Sequence, residues 1–194
     1  GLAQAELMAT EFPDLDLFHP NLMTAEDGID RALRCEQAGR DEDSAISNSE
    51  GASFGSNLAI AAYGNSHGFL ASDWGTSFSQ SIALIAGSGS NMQRDYWWDS
   101  RRSLEALESP EQTGRIAAQR TAQRLGARQV KTAVVPVLFT PYMASVLFGH
   151  MVSAASGGAL YKRSSFLLDH LGHSIFPDWV NITENPLLLS LIHI

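Results

Sequence analysis

The chain has 194 residues, 44% of them hydrophobic and 18% charged, the make-up of a globular protein with one sizeable core or two small ones, which excludes a disordered or fibrous chain. A formal net charge of -8 and a pI near 5.1 argue against non-specific nucleic-acid binding, which needs a basic surface to displace counterions. An acidic cytoplasmic protein is the expectation, and no basic-then-apolar leader signals secretion.

Residues 1–22, with "AELMATEFPDLDLFHPN", read as the end of an N-terminal domain and a linker. Thr24 is placed to cap a helix, "AEDGIDRALRCEQAG", with Asp27 at its third position, Ile29, Leu33 and Ala32 on its inner face, and Gly39 as its terminator. Cys35, with no second cysteine to pair with, falls beside that face and reads as a core residue rather than a reactive thiol. Asp41, Glu42 and Asp43 read as a solvated turn rather than a metal site.

From Ala45 to about Arg101 the pattern has period two. "NLAIAAYGNSHGFLASDW" predicts a strand, a turn at Gly64-Asn65-Ser66 and a returning strand. "TSFSQSIALIAGSGSNMQRDYWWDSRR" predicts a second hairpin turning at Gly87-Ser88-Gly89. The two make an antiparallel sheet with one solvated face. A helix follows, capped by Ser109, with Pro110 at its first position, Gln112 at the capping-box position and Gly126 beyond its end; its apolar face is Ile116, Ala117, Ala122 and Leu125. Residues 23–128 form one middle domain on this reading.

No charged residue occurs between Lys131 and Lys162, long enough for a membrane span. Pro136 and Pro141 interrupt it, however, and its second half is rich in Ser and Gly. A strand, "TAVVPVLF", and a helix, "PYMASVLFGHMVSAAS", are expected instead, opening a second domain over 129–188. Residues 189–194, "LSLIHI", resemble the translation of a transposon end used in preparing sequencing libraries. They read as a non-native tail, so that His193 belongs to no site; a natural apolar terminus is the alternative.

The chemistry-bearing residues are sparse. A zinc protease helix would show H-E-x-x-H, but His150 is followed by Met151 and then, four residues on, by Ala154, and no acidic residue lies between Pro136 and Phe166. His150 reads as a packed or interface residue. His170 and His173, with Asp169 adjacent, could share a helical face, although Gly172 interrupts it. His67 sits in a hairpin turn. "SGGALYKRSS" echoes a phosphate loop but has Tyr161 where a glycine should precede Lys162, and Arg163 where a hydroxyl should follow. "GSGS" joins two strands and fails as a dinucleotide signature, and no G-x-S-x-G elbow appears. "NMQRDYWW", with Arg94 and two tryptophans, could bind an extended peptide by edge pairing or pack its aromatics in a core.

"PDLDLFHP", "GNSHGFL", "MQRDY", "LFGHMVSAASGGALYKRSSFLLDHLG" and "FPDWVNITENP", in order from about Phe12 to Pro186, together resemble the TldD and PmbA (TldE) metalloprotease family, on its PmbA side. The resemblance implies an α+β fold: a middle domain of antiparallel sheet with flanking helices, followed by the start of the α/β C-terminal domain. It also implies that the chain is a central fragment. What the family implies is a cytoplasmic two-component protease of unfolded peptides, acting in peptide-antibiotic maturation and antitoxin turnover. Zinc is carried by the TldD-like partner on an H-E-x-x-x-H helix. Here Phe148 and Ser153 stand where the two histidines would be and Gly149 where the glutamate would be, while His150 replaces none of them. No cofactor is therefore expected in this chain, nor any nucleic-acid or membrane partner. His150, Tyr161, Lys162, Arg163, His67 and Arg94 remain as candidates for contacting substrate or partner. The main rival is a non-enzymatic peptide-binding scaffold forming homo-oligomers; an independent hydrolase using His150 and a serine is a third reading.

Overall fold

A computed structural model describes residues 4–185 and 187. They fall into two compact units, one of residues 4–128 with 185 and 187 and one of residues 129–184. The proposed tail at 189–194 lies outside the described residues.

The first helix, α1, runs Ala25–Glu42. Its start is the expected one. The Thr24 hydroxyl accepts from the Asp27 N–H at 3.1 Å and the Asp27 carboxylate accepts from the Thr24 N–H at 2.9 Å, a reciprocal cap. These bonds from Thr24 hold the Asp27 carboxyl below its ordinary pKa. Two expectations fail. Gly39 does not end the helix but lies buried within it, and Ile29 and Leu33 are 59% and 61% exposed while Cys35 is buried. The inward side is small because α1 meets a second helix there with the backbones nearly touching, and branched side chains would hold them apart.

The sheet has three antiparallel strands in the order β1-β2-β3: β1 at Ile46–Gly64, β2 at Leu70–Ala86 and β3 at Gln93–Arg101. The two separate hairpins of the sequence reading are one meander, because β2 continues through Trp74-Gly75-Thr76 without a turn and pairs with both neighbours. In the first turn the Asn65 side-chain oxygen accepts from the N–H groups of His67 and Phe69 at 3.0 and 3.2 Å, with Gly68 at φ 87°. Phe78, Ile82, Leu84 and Ala86 of β2 are buried on one face. The alternate residues Ser79, Ser81 and Ala83 line the other, opposite Ser100, Trp98 and Tyr96 of β3.

Helix α2, Pro110–Gln123, starts as expected, with Ser109 accepting from the Gln112 N–H at 3.2 Å and proline in the first turn. Its buried stripe is Thr113, Gly114, Ala117, Ala118 and Thr121; Ile116, Ala122 and Leu125 are only partly buried. Small residues win the interior because α2 packs on both α1 and the sheet. The core is Cys35, Ile82, Leu84, Ala117 and Ala118, with Ile46, Ala52 and Trp97 against it. Burial drives the Cys35 thiol up to about 12 from an ordinary value of 9.0. A folded-state value above the unfolded one leaves stability untouched below the unfolded pKa and removes it as pH rises from there toward 12. Native protein at pH 8 should therefore resist iodoacetamide over hours and be alkylated at once in denaturant; rapid labelling of the native chain would contradict the packing of Cys35.

In the second unit, the expected strand over 132–139 is absent: these residues are irregular and exposed, since a strand needs a hydrogen-bonded neighbour and none of the described residues pairs with them. Helix α3, Pro141–Ala155, forms with Thr140 as cap, and α4, Gly157–Tyr161, follows with Ser156 as cap. No residue of α3 is buried. His170 and His173, which could have shared a helical face, lie outside any helix, with Asp169 and Gly172 at positive φ. The Ser165 hydroxyl donates to the Ala154 carbonyl at 2.6 Å and ties this segment to the end of α3.

Candidate functional site

α3 is the helix where a zinc site would be sought. Its 15 residues contain one imidazole, His150, and no carboxylate or thiol, so its donor set does not fit zinc, which takes about three protein ligands in catalytic sites. His150 is exposed. The rings of His170 and His173 lie 6.4 Å apart, and His170 Nδ1 is engaged at 2.8 Å with the Leu168 carbonyl. Among the described residues no group of three or more His, Cys, Asp or Glu could hold a metal, and no helix is long and apolar enough to cross a membrane.

Tyr161, Lys162 and Arg163 stand together where α4 ends, all exposed, Tyr161 at 89%. The Lys162 and Arg163 N–H groups close the last turn on the Gly158 and Leu160 carbonyls, and Arg163 adopts φ 54°. His67 and Arg94 belong to the other unit and to opposite ends of its sheet, His67 in the β1-β2 turn and Arg94 opposite Ile85 near the end of β2. Arg94 is engaged: Nε and Nη2 donate to the two Glu50 carboxylate oxygens at 2.8 and 2.7 Å, spanning the central strand. That fork lowers the Glu50 pKa and raises that of Arg94. Within the central unit, His67 and Arg94 therefore share no site.

Two features of the central unit escaped the sequence reading. One is a polar junction beneath the start of α2, centred on Gln80, which is 3% exposed. Its Nε2 donates to the Glu108 carbonyl at 2.8 Å, the Ser109 carbonyl at 3.3 Å and Thr113 Oγ1 at 2.6 Å, while its Oε1 accepts from Arg31 at 3.2 Å. The other is a groove of about 540 Å³ between α1 and the outer edge of β1, lined by Gly28, Ile29, Ala32, Ala52, Phe54 and Ser56 among others. Ile29 counts as exposed because it forms the wall of this groove. Gly28 and Gly39, two glycines inside one capped helix, were the signal for both close contacts, with Phe54 and with α2.

A meander of three strands under two crossed helices, followed by a separate helical unit, defines an α+β protein whose described residues carry no metal-ligand cluster. Residues 18–125 match the family model for the PmbA/TldA metallopeptidase central domain, and residues 132–193 match that for its C-terminal domain; the chain belongs to this metallopeptidase family. It is 44% identical over 190 residues to Metalloprotease PmbA of Escherichia coli O157:H7, a match covering 98% of this chain and 42% of the relative. It is 41% identical over 189 residues to a Metalloprotease PmbA homolog of Haemophilus influenzae, again covering 42% of that protein. Among solved structures, a Bacteroides thetaiotaomicron protein named "putative modulator of DNA gyrase" superposes with a TM-score of 0.81 at 27% identity, over 90% of this chain and 40% of that one. A Thermotoga maritima protein of similar name shares the fold at a TM-score of 0.58 and 15% identity, over 64% of this chain and 29% of that one. The chain thus spans less than half the length of the relatives it matches.

Proposed function

We propose that the chain is the central part of a PmbA-type (TldE) subunit of a cytoplasmic two-component peptidase, and that it contributes structure and substrate contact while a TldD-like homologue supplies the zinc. The observation that carries this reading is the pairing of family membership with α3, whose positions Phe148, Gly149 and Ser153 offer zinc neither a ligand nor a general base. The substrates on this reading are unfolded peptides, including peptide-antibiotic precursors and antitoxins. Tyr161, Lys162 and Arg163, exposed at the end of α4, are the residues offered to the partner or to substrate carboxylates.

Tagged expression with a TldD-like homologue tests it. The two should co-purify in fixed ratio with zinc bound, and His150→Ala should leave the zinc content of the complex unchanged. Zinc bound tightly at one per chain to this subunit alone, with peptidase activity lost on its removal, would sink the reading. A homo-oligomer that recruits no such homologue would support the scaffold reading instead.

A further inference from the structure

β2 is longer than the strand that flanks it on one side. It runs Leu70–Ala86, whereas β3 pairs only with Phe78–Ala86, so the stretch from Leu70 to Ser77 has β1 along one edge and is not reached by β3 along the other. A sheet edge with free N–H groups is a template for pairing with other chains. Here residues 14–19 lie against it. The Thr76 N–H donates to the Leu17 carbonyl at 2.9 Å, the His19 N–H donates to Thr76 Oγ1 at 2.8 Å, and the Phe18 ring meets that of Trp74 with centroids 5.7 Å apart. Two residues from Thr76, and so on the same edge, the Trp74 N–H is taken by the Asp73 carboxylate at 2.7 Å.

The segment and the sheet each keep bonds of their own on their side of this contact. In the segment, the Asp14 carboxylate accepts from the Asp16 N–H at 2.9 Å and His19 Nε2 donates to the Asp16 carbonyl at 3.0 Å. These bonds fold residues 14–19 into a clip, with Asp16 at φ 51°. On the sheet, Thr76 Oγ1 donates to the Arg102 carbonyl at 2.8 Å and Arg102 Nη1 donates to the Thr76 carbonyl at 3.3 Å. Arg102 thus holds Thr76 without help from the clip. Pro13 and Pro20 bracket the clip and have no N–H with which pairing could spread beyond it. Packing across the gap is loose. Phe18 remains 41% exposed, and a cleft of about 370 Å³ separates Phe12, Pro13 and Leu15 from Ala61, Tyr63 and Phe69 of the β1-β2 hairpin, a space that a close-packed interior does not leave.

We propose that residues 14–19 are a detachable strap that guards the β2 edge beyond the end of β3, lifting from it and returning while the sheet stays folded. Lifting breaks only the contacts that cross the gap and hands the Thr76 N–H to water, a local opening that takes less free energy than unfolding the sheet. Closed, the strap withholds that N–H from any other chain. Open, it bares Thr76 and the face of Trp74.

Hydrogen exchange of the isotope-labelled 194-residue chain, followed residue by residue by NMR and corrected for local sequence, tests this. Thr76, Ile82 and Leu84 are all 2% exposed or less, so burial alone would protect their amides alike. With a detachable strap, the Thr76 amide should exchange at least tenfold faster than those of Ile82 and Leu84. Phe18→Ala, which removes the ring contact with Trp74, should speed Thr76 at least threefold further and leave Ile82 and Leu84 at their parent rates. A Thr76 rate less than tenfold above the other two would mean that the strap leaves only when the sheet unfolds, and would overturn the proposal. So would a Phe18→Ala variant that speeds Thr76 less than threefold or speeds all three amides alike. Should Phe18→Ala fail to fold, the three amides of the unaltered chain decide alone.

Discussion

Gly114→Ala should lower the stability of the central unit by about 2–3 kcal/mol, the range of an overpacked helix contact. Elsewhere in a helix the same change helps by about 1 kcal/mol, so the sign itself is diagnostic. A Cβ at Gly114 would overlap the Cys35 carbonyl oxygen and lie 2.8 Å from the Gly39 amide nitrogen. Both are backbone atoms of α1 and cannot turn aside, so the helices must separate, and Ala117 and Ala118, which are fully buried, lose their contacts with them. Gly39→Ala should cost less, since the new methyl meets Leu84 Cδ1 at 2.9 Å and Ile82 Cδ1 at 3.2 Å, two side-chain ends that can move, along with the Gly114 carbonyl at 3.2 Å. Urea unfolding followed by circular dichroism measures both. Gly114→Ala as stable as the parent, or less damaging than Gly39→Ala, would refute the close crossing.

That crossing shows where sequence reasoning stops. Helix starts were legible at Thr24 and Ser109 because a cap is a local bond between residues three apart. Turns at Asn65 and Gly87 were legible for the same reason. The inner faces of α1 and α2 were misread, since hydrophobicity was followed toward Ile29, Leu33 and Ile116 when the interior needed residues small enough for two backbones to meet. Gly39 was read as a stop because glycine's backbone freedom and its lack of a side chain leave the same letter in the sequence. The strand expected over 132–139 depended on a neighbour, which no local pattern reports. At the candidate site, the lack of zinc donors on α3 could be counted from the sequence alone. The groove could not, because its walls come from residues more than twenty positions apart, Ile29 and Ala52 among them.

Gln80→Leu should cost about 2–3 kcal/mol, although it puts an apolar side chain of similar size on the buried face of β2. The position lies between Phe78 and Ile82 on that face, where pattern alone would favour leucine. Removing the amide strips the Ser109 carbonyl of its side-chain donor and leaves the Glu108 carbonyl only the weaker Arg31 contact at 3.3 Å. It also takes an acceptor from Arg31, whose guanidinium lies 5.4 Å over the Phe54 ring and whose pKa is pulled below its ordinary value, chiefly by desolvation. Glu108 ties the rest of the junction together: its carboxylate accepts from Trp97 Nε1 and from Thr113 Oγ1, both at 3.1 Å, and its N–H donates to Asp99 at 2.9 Å. Thr113→Val should cost about 1–2 kcal/mol by itself, through the loss of its hydrogen bonds with Gln80 and Glu108. Because the two side chains share one hydrogen bond at 2.6 Å, the double variant should be less destabilised than the two single costs combined, by about 1 kcal/mol. Urea midpoints of the four proteins complete that cycle, and additivity within about 0.3 kcal/mol would mean that Gln80 and Thr113 act independently and that the junction is no network.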